Sequence, residues 1–413
     1  MRPPFRADHV GSLLRPPRLL QARADHAAGR ITGDALRAVE DEAIAEAVRM
    51  QEDAGLSSAT DGEFRRTSWH MDFIYQLGGI ARGKEHLKVL FHNAAGDLEF
   101  TSAALHVEGR VRLTHTIFGA HFLALKRMVT RATPKLTIPS PSMVHYRGGR
   151  AAVDPNVYPD LEEFWSDLVA AYAEEVRRLG ELGCTYLQLD DTSFAYLNDP
   201  SQREELARRG EDAEHLHLRY IRNVNAVLSA RPREMAVTTH MCRGNFRSSW
   251  IAQGGYDFVA EALFNELQVD GFFLEYDDAR SGGFEPLRFV PKGKRVVLGL
   301  VTTKRGALES KDALKRRIDE ASRFVPLDQL CPLAAMRLLL HGGGERAHTR
   351  GAGGEAAPRG GDGARGVGVS TTSRRLDAAR GAPPAQRSGV PLRRRLPRPV
   401  PHRTRAPAEP GMR

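Results

Sequence analysis

One recurring unit constrains this chain more than any other feature: a short apolar run that ends in polar residues, followed by an amphipathic helix. The runs are His9-Val-Gly-Ser12, Ser58-Ala-Thr-Asp61, Lys135-Leu-Thr-Ile-Pro139, Thr185-Tyr-Leu-Gln-Leu-Asp190, Met235-Ala-Val-Thr-Thr-His240, Gly271-Phe-Phe-Leu-Glu275 and Arg295-Val-Val-Leu-Gly-Leu-Val301. Continuous apolar character of this kind predicts parallel strands buried on both faces. Helices are predicted at Leu36–Gly55, Pro159–Gly183 and Ser310–Val325, where apolar residues recur every three or four positions. Ser310 suits the N-cap of the third. The alternation predicts an α/β fold, a (β/α)8 barrel, with its active site at the C-terminal ends of the strands. An open doubly wound sheet is the rival, but no GxGxxG follows the first run. Leu87 to Thr114 alternates polar and apolar residues around Asn93-Ala-Ala-Gly96, which predicts a β-hairpin excursion over about residues 83–118.

A barrel needs an eighth strand after the helix ending near Val325, and there the chain changes character. Pro332 to Arg413 contains no Lys, Asn, Ile, Phe, Tyr, Trp or Cys, yet holds 14 of the 39 Gly and 10 of the 24 Pro. Such a segment cannot bury enough apolar surface to offset its ordering entropy, so disorder is expected. The chain therefore divides into a body, residues 1–331, and a basic Gly/Pro/Arg-rich tail, residues 332–413. The missing residue types have AT-rich codons, which points to GC-rich DNA read out of frame and to a disrupted eighth βα unit. A basic arm for polyanions is the other reading, helped by Leu392-Arg-Arg-Arg-Leu396. With 16 Arg against five acids the tail carries +11, so the body stands at −2 within the formal +9 of the whole chain. Charge thus gives the body no case for specific nucleic acid or membrane binding. Three cysteines, no membrane-length apolar run and no signal-peptide core predict a soluble cytoplasmic protein.

The chemistry sits at the run ends. In His240-Met-Cys242 the first and third side chains point to one side of a strand, so imidazole and thiolate can share a metal. A buried Cys beside a hydrogen-bonded His is the plainer alternative. Glu275 ends the next run in apolar surroundings, where an unpaired carboxylate is costly. It completes a three-ligand set for zinc, with a salt bridge to an Arg as the alternative. Ser12 either shapes a Gly-Ser turn or binds a ligand. Glu63 and Asp61 either pair with Arg65 and Arg66 or serve a substrate. Trp69 and His70 are pocket wall or core.

With these residues in place, the chain resembles the short cobalamin-independent methionine synthase-like proteins, which correspond to the catalytic barrel of the long enzyme. The resemblance spans roughly Phe5 to Cys331. It rests on Asp8-His-Val-Gly-Ser-Leu-Leu-Arg-Pro16, Thr60-Asp-Gly-Glu-Phe-Arg-Arg66, Leu187-Gln-Leu-Asp-Asp191, His240-Met-Cys-Arg-Gly-Asn245 and Leu274-Glu-Tyr-Asp277. It implies one zinc ion held by His240, Cys242 and Glu275 with a second Cys on the eighth strand, in a Gln/Asp-Cys-Gly context. Synonymous codons can be chosen for Pro332–Thr349 so that a one-base shift yields a Cys-Gly peptide just after Cys331. The implied reaction is methyl transfer from a methylated tetrahydrofolate to the thiol of homocysteine, with activity expected to be impaired in this chain by the loss of that second Cys. By the same resemblance Ser12, Glu63 and Asp190 hold the amino acid, Trp69 lines the donor pocket, and Asp191 binds the pterin or assists protonation. The long enzyme has a His after its seventh strand, whereas Val301-Thr-Thr-Lys304 has none. Alkylation of another thiol, as in coenzyme M transferases, is the rival within the family. A non-catalytic remnant with a polyanion-binding tail is the rival outside it.

Overall fold

The computed structural model describes residues 2–332, apart from 84–86, 94–95, 103, 245–248 and 303–308. The expected disorder of the tail, and any ligand restored there, lie outside the described residues. Twelve strands lie within them: β1 (Ser58–Ala59), β2 (Gly78–Arg82), β3 (Leu87–Asn93), β4 (Gly96–Ser102), β5 (Leu105–Arg112), β6 (Thr133–Pro134), β7 (Leu136–Pro139), β8 (Tyr186–Asp191), β9 (Ala236–Met241), β10 (Gly271–Glu275), β11 (Arg295–Gly299) and β12 (Leu330–Pro332). β1 pairs with β6 in parallel, Lys135 alone separates β6 from β7, and β7 to β12 form a parallel sheet in chain order. This is the strand series of an α/β barrel, with helices in the connections as the apolar periodicity predicts. The three helices expected from the sequence are found at Gly33–Asp53, Leu161–Glu181 and Lys311–Ala321, and the Ser310 side chain caps the last by accepting from the Ala313 amide at 3.1 Å.

One register row crosses the sheet and sets the depth of the site. Asp190, His240, Phe273, Val297 and Cys331 are successive partners from β8 to β12. Phe273, Val297 and Cys331 form a buried cluster on which Val10 packs. Glu275, opposite Gly299, stands one pleat nearer the C-terminal ends.

Two expectations are refined. The eighth βα unit, expected to be disrupted, still begins with a paired strand: Leu330, Cys331 and Pro332 pair with Val296, Val297 and Leu298. The apolar residues just before the change in composition suffice to extend the ladder. The excursion also starts earlier, at Gly78, and is nested, with β2 pairing β5 outside the β3–β4 hairpin. Its strand β3 returns to the barrel, where His92 and Trp250 exchange backbone hydrogen bonds of 2.7 and 2.9 Å.

The first run is not a regular strand. It is held by side chains from its neighbours, centred on a fully buried carboxylate, Asp8. Asp8 accepts from Tyr186 Oη at 2.7 Å, Ser58 Oγ at 3.0 Å and Lys135 Nζ at 3.2 Å. Burial alone would raise this carboxyl, but the Lys135 ammonium beside it holds it below its usual range. Lys135 also donates to the His9 carbonyl at 2.6 Å and faces the Tyr186 and Phe273 rings at 4.8 and 4.0 Å. Arg295 fastens the very start of the chain, donating to the carbonyls of Arg2 and Pro4 at 2.9 and 2.5 Å.

Candidate metal centre and substrate pocket

Three consecutive carbonyls after Asp8 are gripped from three different strands or strand ends. Lys135 takes that of His9, Gln188 that of Val10 at 2.7 Å and Thr60 that of Gly11 at 2.6 Å. Gly11 has φ +113°, and a Cβ there would stand 2.6 Å from the Thr137 methyl, so only glycine fits this crossing. The next residue, half-buried Ser12, is thereby presented on a fixed loop, with the Leu13 amide bonded to the Gly62 carbonyl at 3.1 Å.

Glu63 follows β1 with φ +59°, the sole non-glycine residue with positive φ among those described. A glutamate in the left-handed region is strained and needs its surroundings to hold it. Its amide donates to Asp61 Oδ1 at 2.9 Å, while Oε1 accepts from Thr137 Oγ1 at 2.9 Å and Arg66 Nη1 at 3.4 Å. Burial pushes this carboxyl above its usual range; Arg66 opposes the shift and the charge of Asp190 adds to it. The Arg66 guanidinium is itself buried, donating to the Thr137 carbonyl at 2.6 Å and lying 4.3 Å from the Phe118 ring. The pairing of Glu63 with Arg66 is one of the two alternatives the sequence offered, whereas Thr137 carried no signal there because its contact with Arg66 joins residues 71 apart.

Adjacent acids on β8 have different employments, as alternation along a strand requires. Asp190 Oδ1 accepts from Gln188 Nε2 at 2.7 Å and from His240 Nδ1 at 3.0 Å. Among the described residues its Oδ2 has no hydrogen-bond partner. Asp191 is fully buried and both its oxygens are taken, Oδ2 by Ser142 Oγ at 2.5 Å and Oδ1 by the Ser193 amide and hydroxyl at 2.7 and 2.5 Å. Trp69 is half-buried against His70, with ring centroids 4.3 Å apart.

His240, Cys242 and Glu275 are brought together: one donor atom from each lies within 4.8 Å of the others. Glu275 Oε1 stands 3.8 Å from His240 Nε2, while Oε2 accepts from the Arg243 amide at 3.3 Å. Burial alone would lower the His240 pKa, but hydrogen bonds to Asp190 and Glu275 overcome it and hold the imidazole up at about 9. Nitrogen, thiolate sulfur and carboxylate oxygen are the donor types zinc selects, and the Asp190 bond to Nδ1 leaves Nε2 for an ion. The residues fit such an ion.

With this geometry in hand, the comparisons with known proteins are specific. Residues 5–332 match the family model of the cobalamin-independent synthase catalytic domain. The chain belongs to the cobalamin-independent methionine synthase family. It is 45% identical over 330 residues to the uncharacterized protein YxjH of Bacillus subtilis, covering 79% of this chain and 85% of that one. The methionine synthase of Pyrococcus horikoshii is 23% identical over 80% of this chain and 86% of its own. A solved structure from Listeria monocytogenes, assigned as a vitamin-B12-independent methionine synthase, superposes with TM-score 0.65 at 34% identity, covering 82% of this chain and 97% of that one. Among the described residues, no helix of this family member is long and apolar enough to cross a membrane.

Proposed function

We propose that this protein transfers a methyl group from a methylated-folate type of donor to the thiol of homocysteine, giving methionine, with one zinc ion at His240, Cys242 and Glu275. The observation that carries the reading is the convergence of those three donors within 4.8 Å, beside the acids Glu63 and Asp190. A zinc ion bound there would keep a substrate sulfur in its thiolate form near neutral pH, although a free thiol has a pKa of about 8.5.

The remaining work belongs to this chain's side chains. Glu63 and Asp190 each keep one carboxylate oxygen that no described residue claims, and Asp190 raises the cost of charging Glu63. Two acids in that state attract an ammonium, and the Ser12 loop suits the carboxylate of the same amino acid. A sulfonate thiol would want cations instead, which favours homocysteine over a coenzyme M type of substrate. Trp69 walls the donor side. Asp191, with both oxygens engaged by Ser142 and Ser193, sets the loops after β7 and β8, and in this reading it acts on the substrate only through them. The protein works in the cytoplasm on small molecules.

Residues 332–413 are in this reading an out-of-frame tail, and the body ends at Cys331, short of a fourth, cysteine ligand. The test is metal analysis and homocysteine methylation by the chain, measured with and without chelator. Absence of both zinc and methyl transfer in a folded protein refutes the reading.

A further inference from the structure

We propose that Gln188 is a positioning residue that ties the Ser12 loop to the metal ligand His240, an inference that rests on the function proposed above. Gln188 is fully buried on β8, two residues before Asp190 and on the same face of the strand. Its one amide nitrogen makes two bonds of equal length, 2.7 Å to the Val10 carbonyl and 2.7 Å to Asp190 Oδ1. Both of its protons are therefore spent on acceptors. The same Asp190 oxygen receives His240 Nδ1 at 3.0 Å.

The orientation of the amide follows from chemistry. Rotated by half a turn, Gln188 would aim its carbonyl at a backbone carbonyl and a carboxylate, two acceptors that have no proton to offer. In the orientation adopted, Oε1 is buried with no hydrogen-bond partner among the described residues. Leaving a buried acceptor unmatched costs about 1–3 kcal/mol. The amide thus gives up its acceptor to place both donors.

Two placements depend on it. Val10 lies two residues before Ser12, so its bond to Gln188 fixes one end of the loop that receives the amino acid. The other bond fixes the rotamer of Asp190, keeping Oδ1 on His240 and leaving Oδ2 without a hydrogen-bond partner among the described residues. His240 Nε2 is aimed in turn toward Glu275. The end of the pocket that binds the amino acid and the end that binds the metal are held at a fixed separation through one side chain. That separation decides whether a homocysteine sulfur reaches the metal.

The test uses the full chain titrated with Co(II), followed by the visible absorption of the ion, and then with homocysteine. Gln188→Met keeps the volume and removes both donors. Gln188→Glu keeps the shape and reverses the hydrogen-bonding sense, so it serves if the first variant folds poorly. Outer hydrogen bonds to a metal-bound histidine are worth about 10–100-fold in affinity. We expect the Kd for Co(II) and the Kd for homocysteine both to rise by about tenfold or more, with an altered Co(II) spectrum. Folded variants with both constants within about twofold of the parent overturn the proposal, since a purely structural Gln188 would move only the unfolding midpoint. A parent chain that takes up no Co(II) overturns both this inference and the function it rests on.

Discussion

Nδ1 of His240 donates to Oδ1 of Asp190 across 3.0 Å, joining residues fifty apart on neighbouring strands. That bond keeps a proton on Nδ1, so an ion that displaces the Nε2 proton would find the Nε2 lone pair on the side of Glu275. Removing a donor next to it should therefore be severe. Cys242→Ser is expected to lose metal retention and methyl transfer together, each by more than the about 100-fold that outer contacts command. Elemental analysis alongside a rate assay checks it. Zinc kept at full stoichiometry with transfer abolished would make Cys242 a nucleophile and not a ligand.

Glu63→Gln removes the charge but keeps the shape, and the backbone at φ +59° suits neither residue better than the other. Homocysteine affinity should fall by about tenfold, the scale of a lost charge-assisted hydrogen bond. Zinc stoichiometry should stay unchanged. Parallel loss of both, measured by calorimetry and metal analysis, would tie Glu63 to the metal instead.

Lys135→Met leaves Asp8 charged and unpaired in the middle of the protein. The expected loss is about 3–5 kcal/mol of stability, read from the denaturant midpoint. Replacing Asp8 by Asn in the same chain should recover part of it, because the stranded charge is then gone. A single variant as stable as the parent would show that the pair contributes nothing.

Three buried imidazoles weaken the fold in acid, against the opposing effect of Glu175, which burial raises to about 7. Burial lowers the pKa of His9 to about 4, with Lys135 adding to the effect, and that of His70 to about 3, with Arg147 adding. Burial also lowers His145 to about 4, against the opposing charge of Glu211. Each is neutral in the folded protein and charges more readily once unfolded, so its contribution is complete above pH 6.5 and is lost as pH falls toward these values. Each such group costs about 1.4 kcal/mol per pH unit in that window. Urea midpoints should drop steadily from pH 6.5 to 4.5. A midpoint that is flat or rises over that range contradicts the assignment.

A chain with its reading frame shifted by one base after the codon for Cys331 should bind zinc more tightly and transfer methyl faster than the chain as given. The shifted frame can supply a cysteine to a site that otherwise draws three ligands from the body. Both versions expressed side by side, with zinc content and homocysteine methylation measured on each, decide it. Equal stoichiometry and equal rates refute the out-of-frame reading of residues 332–413, or the need for that cysteine.

The barrel was legible because each buried strand announces itself as an apolar run with chemistry at its end. His240, Cys242 and Glu275 could be picked out for the same reason. What escaped were residues whose meaning lies in partners far along the chain. Gln188 reads as an interruption in Leu187-Gln-Leu until Val10, 178 residues earlier, is seen to accept from it. Asp191 shows the opposite case. Strand alternation alone sets it on the other face from Gln188 and Asp190, and that signal was present in the sequence. The first run read as a strand like the others, but side chains hold it in place of a regular ladder. The eighth was hidden by its brevity, three residues before the composition changes.

The way the start of the chain is fastened has a consequence for its synthesis. Asp8 waits for Lys135 and Tyr186, and the carbonyls of Arg2 and Pro4 wait for Arg295, 293 and 291 residues later. At the 5–20 residues per second of translation, that interval is roughly a quarter of a minute to a minute. The residues made first are among the last to find their places. Until strand β11 has left the ribosome, the segment that presents Ser12 has no complete seat.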